Sequence, residues 1–150
     1  MVISPFDRYL KLGKVKRKTP DSEEAKALFE QSKERMEYAK LKDISQKTAS
    51  FVLQDSYEAA RGAAQSLMSI HGFKPYSHEA TISFIKQFYR EHFTEEEIHK
   101  FDHFRQLRNN SVYKAAKILE EDAKFSLLFA EKFIQKVKVL LNKKEQVKKD

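Results

Sequence analysis

The run RQLRNNSVY, Arg105 to Tyr113, brings two guanidinium groups, three carboxamides and a phenol close together in the chain. A guanidinium presents its donors in a planar fork that can hold a phosphate through two parallel hydrogen bonds. The Tyr113 hydroxyl can donate a further bond to the same kind of oxygen. A structural role competes for Arg108, because a cation also suits an ion pair or the negative end of a helix.

A second cluster, EEEIHKFDH, sets Glu96, His99 and His103 at i, i+3 and i+7 on one helical face. Carboxylate and imidazole at that spacing can hold zinc or iron. A bundle site of that sort needs matching acids on facing helices, and no second Glu-x-x-His pair occurs in the chain. The expectation is a solvated or interface face and no metal. The absence of Cys excludes thiolate catalysis, disulfides and zinc sites built on Cys. Gly-x-Ser-x-Gly, a Gly-rich phosphate loop and G-x-G-x-x-G are also absent, so neither a hydrolase pattern nor a cofactor is expected. Glu120, Glu121 and Asp122 read as acids set against the positive end of the last helix.

Positioning such residues falls to helices. The chain of 150 residues is 41% hydrophobic and suits a single domain, and with only 3 Gly and 3 Pro among many helix formers it reads as all-α. Thr19 as N-cap, Pro20 and the acids Asp21, Glu23 and Glu24 start a helix that runs to about Leu41. A second helix, from about Asp43 to His71, carries a stripe from Ile44 to Ile70 and stops at Gly72. Its small residues, Ala59, Ala60, Gly62, Ala63 and Ala64, admit a close neighbour, which accounts for a mid-helix glycine by packing.

The loop GFKPYSH follows, with Phe73 and Tyr76 as candidate exposed aromatics, and Ser77 caps a third helix burying Ile82, Ile85, Phe88 and Tyr89. Thr94 and Glu97 form a capping box that opens a fourth helix. That helix presents Ile98, Phe101, Phe104 or Arg105, and Arg108 to a neighbour and ends near Asn109 and Asn110, since Asn favours caps and turns. From about Leu119 a last helix repeats Ala123, Ser126, Leu127, Ala130, Phe133, Ile134, Val137, Leu140 and Leu141 at three- and four-residue spacing. Long helices with short connections give a four- or five-helix up-and-down antiparallel bundle spanning residues 19–142.

Flanking it are a basic N-terminal arm, residues 1–18, and a basic C-terminal tail, residues 143–150. Arg8 to Lys18 holds six cations without an acid, and the net charge is +7. Such a surface attracts phosphates or an acidic partner. Met1 to Leu12 fits neither a signal peptide nor a membrane span, so a soluble cytoplasmic protein is expected.

The segment SYEAARGAAQSLMSIHGFKPYSH together with RNNSVY resembles the HEPN domain superfamily over roughly residues 25–140. The shared features are the Ala-rich second helix ending in Gly72, the Pro-containing loop before His78, and an Arg followed by a polar residue late in a later helix. Active members are metal-independent ribonucleases that act as homodimers, with an Arg, four to six residues and a His lining a shared cleft. Arg108 and Asn109 match the Arg and the polar residue. Tyr113 stands where the shortest form has His, and no His follows His103. Attack by a 2′-hydroxyl needs a group that exchanges protons near neutral pH, and a phenol titrating near 10 does not.

The resemblance therefore implies a non-catalytic subgroup that binds RNA or nucleotide phosphates through Arg105, Arg108, Asn109 and Tyr113. It also implies a homodimer and a minimal nucleotidyltransferase as partner, in a toxin–antitoxin-like module. Two alternatives stand beside it. One is a ribonuclease using His99 or His103 with Arg108 across a dimer, and the other is a protein-interaction module.

Overall fold

The computed structural model describes residues 3–149, and 73% of the chain is helical. Among the described residues the order is α1 (Phe6–Lys11), β1 (Val15–Arg17), α2 (Ser22–Lys40), α3 (Ala49–His71), β2 (Phe73–Pro75), α4 (His78–Phe88), α5 (Glu95–Lys114) and α6 (Glu120–Lys149). The four long helices alternate in direction. Ser32 of α2 bonds the carbonyl of Ala59 in α3, Gln54 of α3 reaches Ser111 of α5, and Lys136 of α6 reaches Glu97 of α5. The result is the expected all-α bundle, with α4 crossing between α3 and α5.

The core is a single cluster in which the α6 seam, from Ala123 through Phe133 to Leu141, meets the small-residue face of α3. Phe101 packs on Phe133 at 4.9 Å between ring centroids, and Phe93 does the same at 4.9 Å. No helix among the described residues is long and apolar enough to cross a membrane.

Residues 1–18, expected as a basic arm, are instead folded onto this core from Ile3 onward. Phe6, Tyr9 and Val15 are buried, and the Phe6 ring meets Phe73 and Phe88 edge-on at 5.1 and 5.4 Å. Of the six cations between Arg8 and Lys18, five are exposed and Lys18 is half-buried. β1 pairs antiparallel with β2 in a two-stranded ribbon whose register sets Val15 against Pro75, Lys16 against Lys74 and Arg17 against Phe73. The segment expected as a loop after Gly72 is thus a strand. Gly72 itself ends α3 in the left-handed region, φ 80°, as a C-terminal glycine does.

Three boundaries move. Asp21 rather than Thr19 caps α2, accepting the Glu24 N–H at 3.0 Å. α3 starts at Ala49, because Ser45 and Thr48 exchange backbone and hydroxyl bonds that hold Asp43–Thr48 in a turn. α5 runs through Asn109 and Asn110 to Lys114, and the Asn110 carbonyl closes it by accepting N–H groups of Ala115 and Ala116. Ser77 caps α4 and the Thr94–Glu97 box opens α5, both as expected. The stretch expected as a C-terminal tail continues α6 to Lys149, with Asp150 outside the described residues.

Candidate functional site

Arg105 and Arg108 lie one turn apart on α5, and that helix aims both at α3 and α4. Arg105 is sealed in, with a side chain only 3% exposed. Its Nε donates to Asp102 Oδ1 at 2.7 Å and its Nη1 to Glu79 Oε1 at 3.1 Å, while Gln106 donates to the other Asp102 oxygen at 2.9 Å. Two carboxylates thus neutralise one buried guanidinium, and Arg105 is occupied as a brace between α4 and α5.

Arg108 is 19% exposed and held far more loosely. Its Nη1 donates to Asn109 Oδ1 at 3.2 Å, and its Nε lies 3.6 Å from Glu58 Oε1, too far for a hydrogen bond. Both of those facing atoms are buried without a hydrogen-bonding partner. The other Glu58 oxygen is taken by Arg61, which donates from Nε at 3.1 Å and from Nη2 at 2.6 Å. Arg61 and Arg108 therefore share a single carboxylate, which leaves this group with one positive charge in excess. Tyr113, one turn and a half beyond Arg108, is 74% exposed with its ring 5.9 Å from the guanidinium carbon.

α4 adds an imidazole. His78 Nδ1 lies 2.9 Å from the Tyr57 hydroxyl, and the two rings stack at 5.7 Å with planes 17° apart. Burial, and then the Arg61 guanidinium, hold His78 down at about 4, so the ring is neutral at pH 7. Burial raises the Tyr57 phenol far above its usual range. The pair is an uncharged floor beside the arginines.

The structure thus brings Arg108, Asn109 and Tyr113 together at one surface and places Arg105 behind them. Tyr57, Glu58, Arg61 and His78 were not anticipated. Tyr57, Glu58 and Arg61 fall at i, i+1 and i+4 on α3, a spacing that could have flagged them, but the alanines around them direct attention to packing. His99 and His103 are exposed on α5 away from this cluster, and His103 instead lines a groove with Phe104, Phe125 and Leu128. Glu96 pairs with Lys100 at 3.4 Å. Among the described residues no three His, Asp or Glu side chains converge as metal ligands would. Of the two aromatics expected to be exposed, Phe73 is buried against Phe6, whereas Tyr76 is open.

A search of curated proteins finds none that matches the chain. A family model for the HEPN domain matches residues 25–140, a span that includes every residue of this cluster and excludes α1 and β1.

Proposed function

This chain belongs to the HEPN domain family, and from that membership we propose that it binds RNA or nucleotide phosphates at the Arg108 surface without cleaving them. The observation that carries the reading is the sharing of Glu58 between Arg61 and Arg108. A guanidinium with unused donors beside a surplus charge is matched to a phosphate, which would take the place of the missing second carboxylate. Asn109 steadies the fork, Tyr113 supplies a hydroxyl and a ring at its rim, and Arg105 positions α5 through Asp102 and Glu79.

The state of His78 supports binding over cleavage. An effective general base has a pKa near the working pH, and an imidazole held at about 4 accepts a proton too weakly to serve well at pH 7. Within one chain His99 and His103 are exposed and do not join the Arg108 cluster.

Family membership supports two extensions, a homodimer and pairing with a minimal nucleotidyltransferase in a toxin–antitoxin-like module. For the homodimer, α6 offers an outer face of Glu121, Phe125, Leu128 and Lys132, with Phe125 50% and Leu128 47% exposed.

The test is RNA binding and strand integrity, measured with Arg108→Ala beside wild type. We expect binding without cleavage, weakened about tenfold or more by the loss of charge-assisted bonds, with an unchanged melting temperature. Arg105→Ala is the contrast. It strands Asp102 in the interior and should lower stability by about 3–5 kcal/mol, as loss of one partner of a buried pair does. Undiminished RNA binding by Arg108→Ala would overturn the proposal.

A further inference from the structure

The β1–β2 ribbon turns five dispersed residues into one surface. Its register, extended by the Tyr76 N–H to the Lys14 carbonyl at 2.8 Å and the Lys18 N–H to the Gly72 carbonyl at 2.9 Å, makes side chains alternate between core and solvent. Val15 and Phe73 point inward and are buried. Lys14, Lys16, Lys18, Lys74 and Tyr76 share the outer face. Lys18 is paired with Glu24 at 3.2 Å, but Lys14, Lys16 and Lys74 have no carboxylate partner among the described residues.

This arrangement breaks a local rule of sheet design. Lys16 stands directly opposite Lys74, and like charges across a two-stranded ribbon are destabilising. The group between them is the Tyr76 ring, 54% exposed, with the Lys16 and Lys74 ammonium groups 5.2 and 5.7 Å from its centroid. An exposed ring flanked by unpaired cations is the means by which proteins hold a single strand, the ring stacking a base while the cations meet the phosphates on either side. Position strengthens the case. Two residues beyond Tyr76 lies His78, bonded to Tyr57 beside Glu58 and Arg61, and two extended residues span no more than about 7 Å.

We propose that the outer face of the β1–β2 ribbon, Tyr76 with Lys14, Lys16 and Lys74, is a stacking platform for single-stranded nucleic acid that continues from the Arg108 surface. This rests on the nucleic-acid reading of that surface and extends it from a phosphate site to a track. Lysines placed only to keep sheet edges from pairing with other chains would not need the ring. An acidic peptide would use the lysines but not the ring either.

The experiment measures two probes by fluorescence anisotropy and competition, a labelled oligouridylate of about 12 nucleotides, within the range single-strand sites cover, and uridine monophosphate. Tyr76→Ala should weaken the oligonucleotide about tenfold, the scale of one lost stack, while leaving the mononucleotide and the melting temperature unchanged. Tyr76→Phe should restore the affinity. The Lys16→Gln/Lys74→Gln double variant should lower the slope of affinity against salt by about 1.4, two single-strand phosphate contacts.

Equal oligonucleotide binding by wild type and Tyr76→Ala would overturn the platform, as would competition by polyglutamate that ignores Tyr76. Loss of oligonucleotide binding in Arg108→Ala but not in Tyr76→Ala rejects the platform and keeps the Arg108 site. The reverse pattern keeps the platform and rejects the Arg108 site, and no binding by the wild type rejects both.

Discussion

Arg105 and Arg108 share a helix and a charge, yet Asp102 and Glu79 take the Nε and Nη1 of the first, leaving its buried Nη2 unpartnered, while the second shares Glu58 with Arg61. The RNNSVY pattern marked Arg108, but sequence offers no means of telling a braced guanidinium from an available one. That difference depends on Glu79 of α4 and Glu58 of α3, which packing brings up beside a helix that supplies only Asp102 itself.

The two half-buried histidines are a second case. Burial holds His71 at about 4, helped by Lys144, and its Nε2 lies 2.7 Å from the Tyr89 hydroxyl, which burial pushes up to about 12. His78 is held at about 4 as well. Since both folded values lie below the ordinary 6.5, the unfolded chain binds protons more readily. Stability from these groups is full above pH 6.5 and is lost as pH falls toward 4. Denaturant midpoints should therefore drop already between pH 6.5 and about 5, before most carboxylates titrate. A His71→Gln/His78→Gln variant should be flat over that window, and an equally steep fall in the variant would assign the effect elsewhere.

Elements separate by whether their signals are local. The Thr94–Glu97 box, the Ser77 cap and the Gly72 stop were readable because each is satisfied within a few residues. The two asparagines misled, because α5 continues and is closed by the Asn110 backbone rather than its side chain. The β1 and β2 strands were not readable at all. Each is three residues long and gains its bonds from a partner on the far side of α2 and α3.

Two glycines divide in the same way. A Cβ on Gly62 would meet Ser32 at 3.5 Å, an ordinary contact, so the packing with α2 does not demand a glycine there. Gly62→Ala should stabilise the protein by about 0.5–1 kcal/mol, the usual gain within a helix. A Cβ on Gly72 would lie 2.7 Å from the Lys18 carbonyl oxygen, at a φ of 80°. Gly72→Ala should cost more than the roughly 1–2 kcal/mol of a left-handed residue alone and should detach β1 from β2. Thermal melts of the two variants check both, and shifts of the same sign would refute the distinction.

For the whole molecule, the α6 outer face bears on self-association. Two copies of α6 set antiparallel about a two-fold axis midway between Phe125 and Leu128 would place Phe125 on the partner's Leu128 and Glu121 opposite the partner's Lys132. A surface complementary to itself in this way is what an isologous dimer requires. Light scattering should report twice the chain mass, and Phe125→Asp should halve it with helicity intact, whereas a monomeric wild type would rule out this pairing. Residues along the chain settled the all-α class, the long helices and most of their caps, because apolar spacing and capping bonds act within a turn or two. Folding settled the rest. The burial of Phe6 and Val15, the pairing of Lys16 with Lys74, and the meeting of Glu58, His78 and Arg108 join segments far apart in the chain. Contacts of that kind leave no periodic trace, since their energy exists only after the helices have packed and excluded water between them.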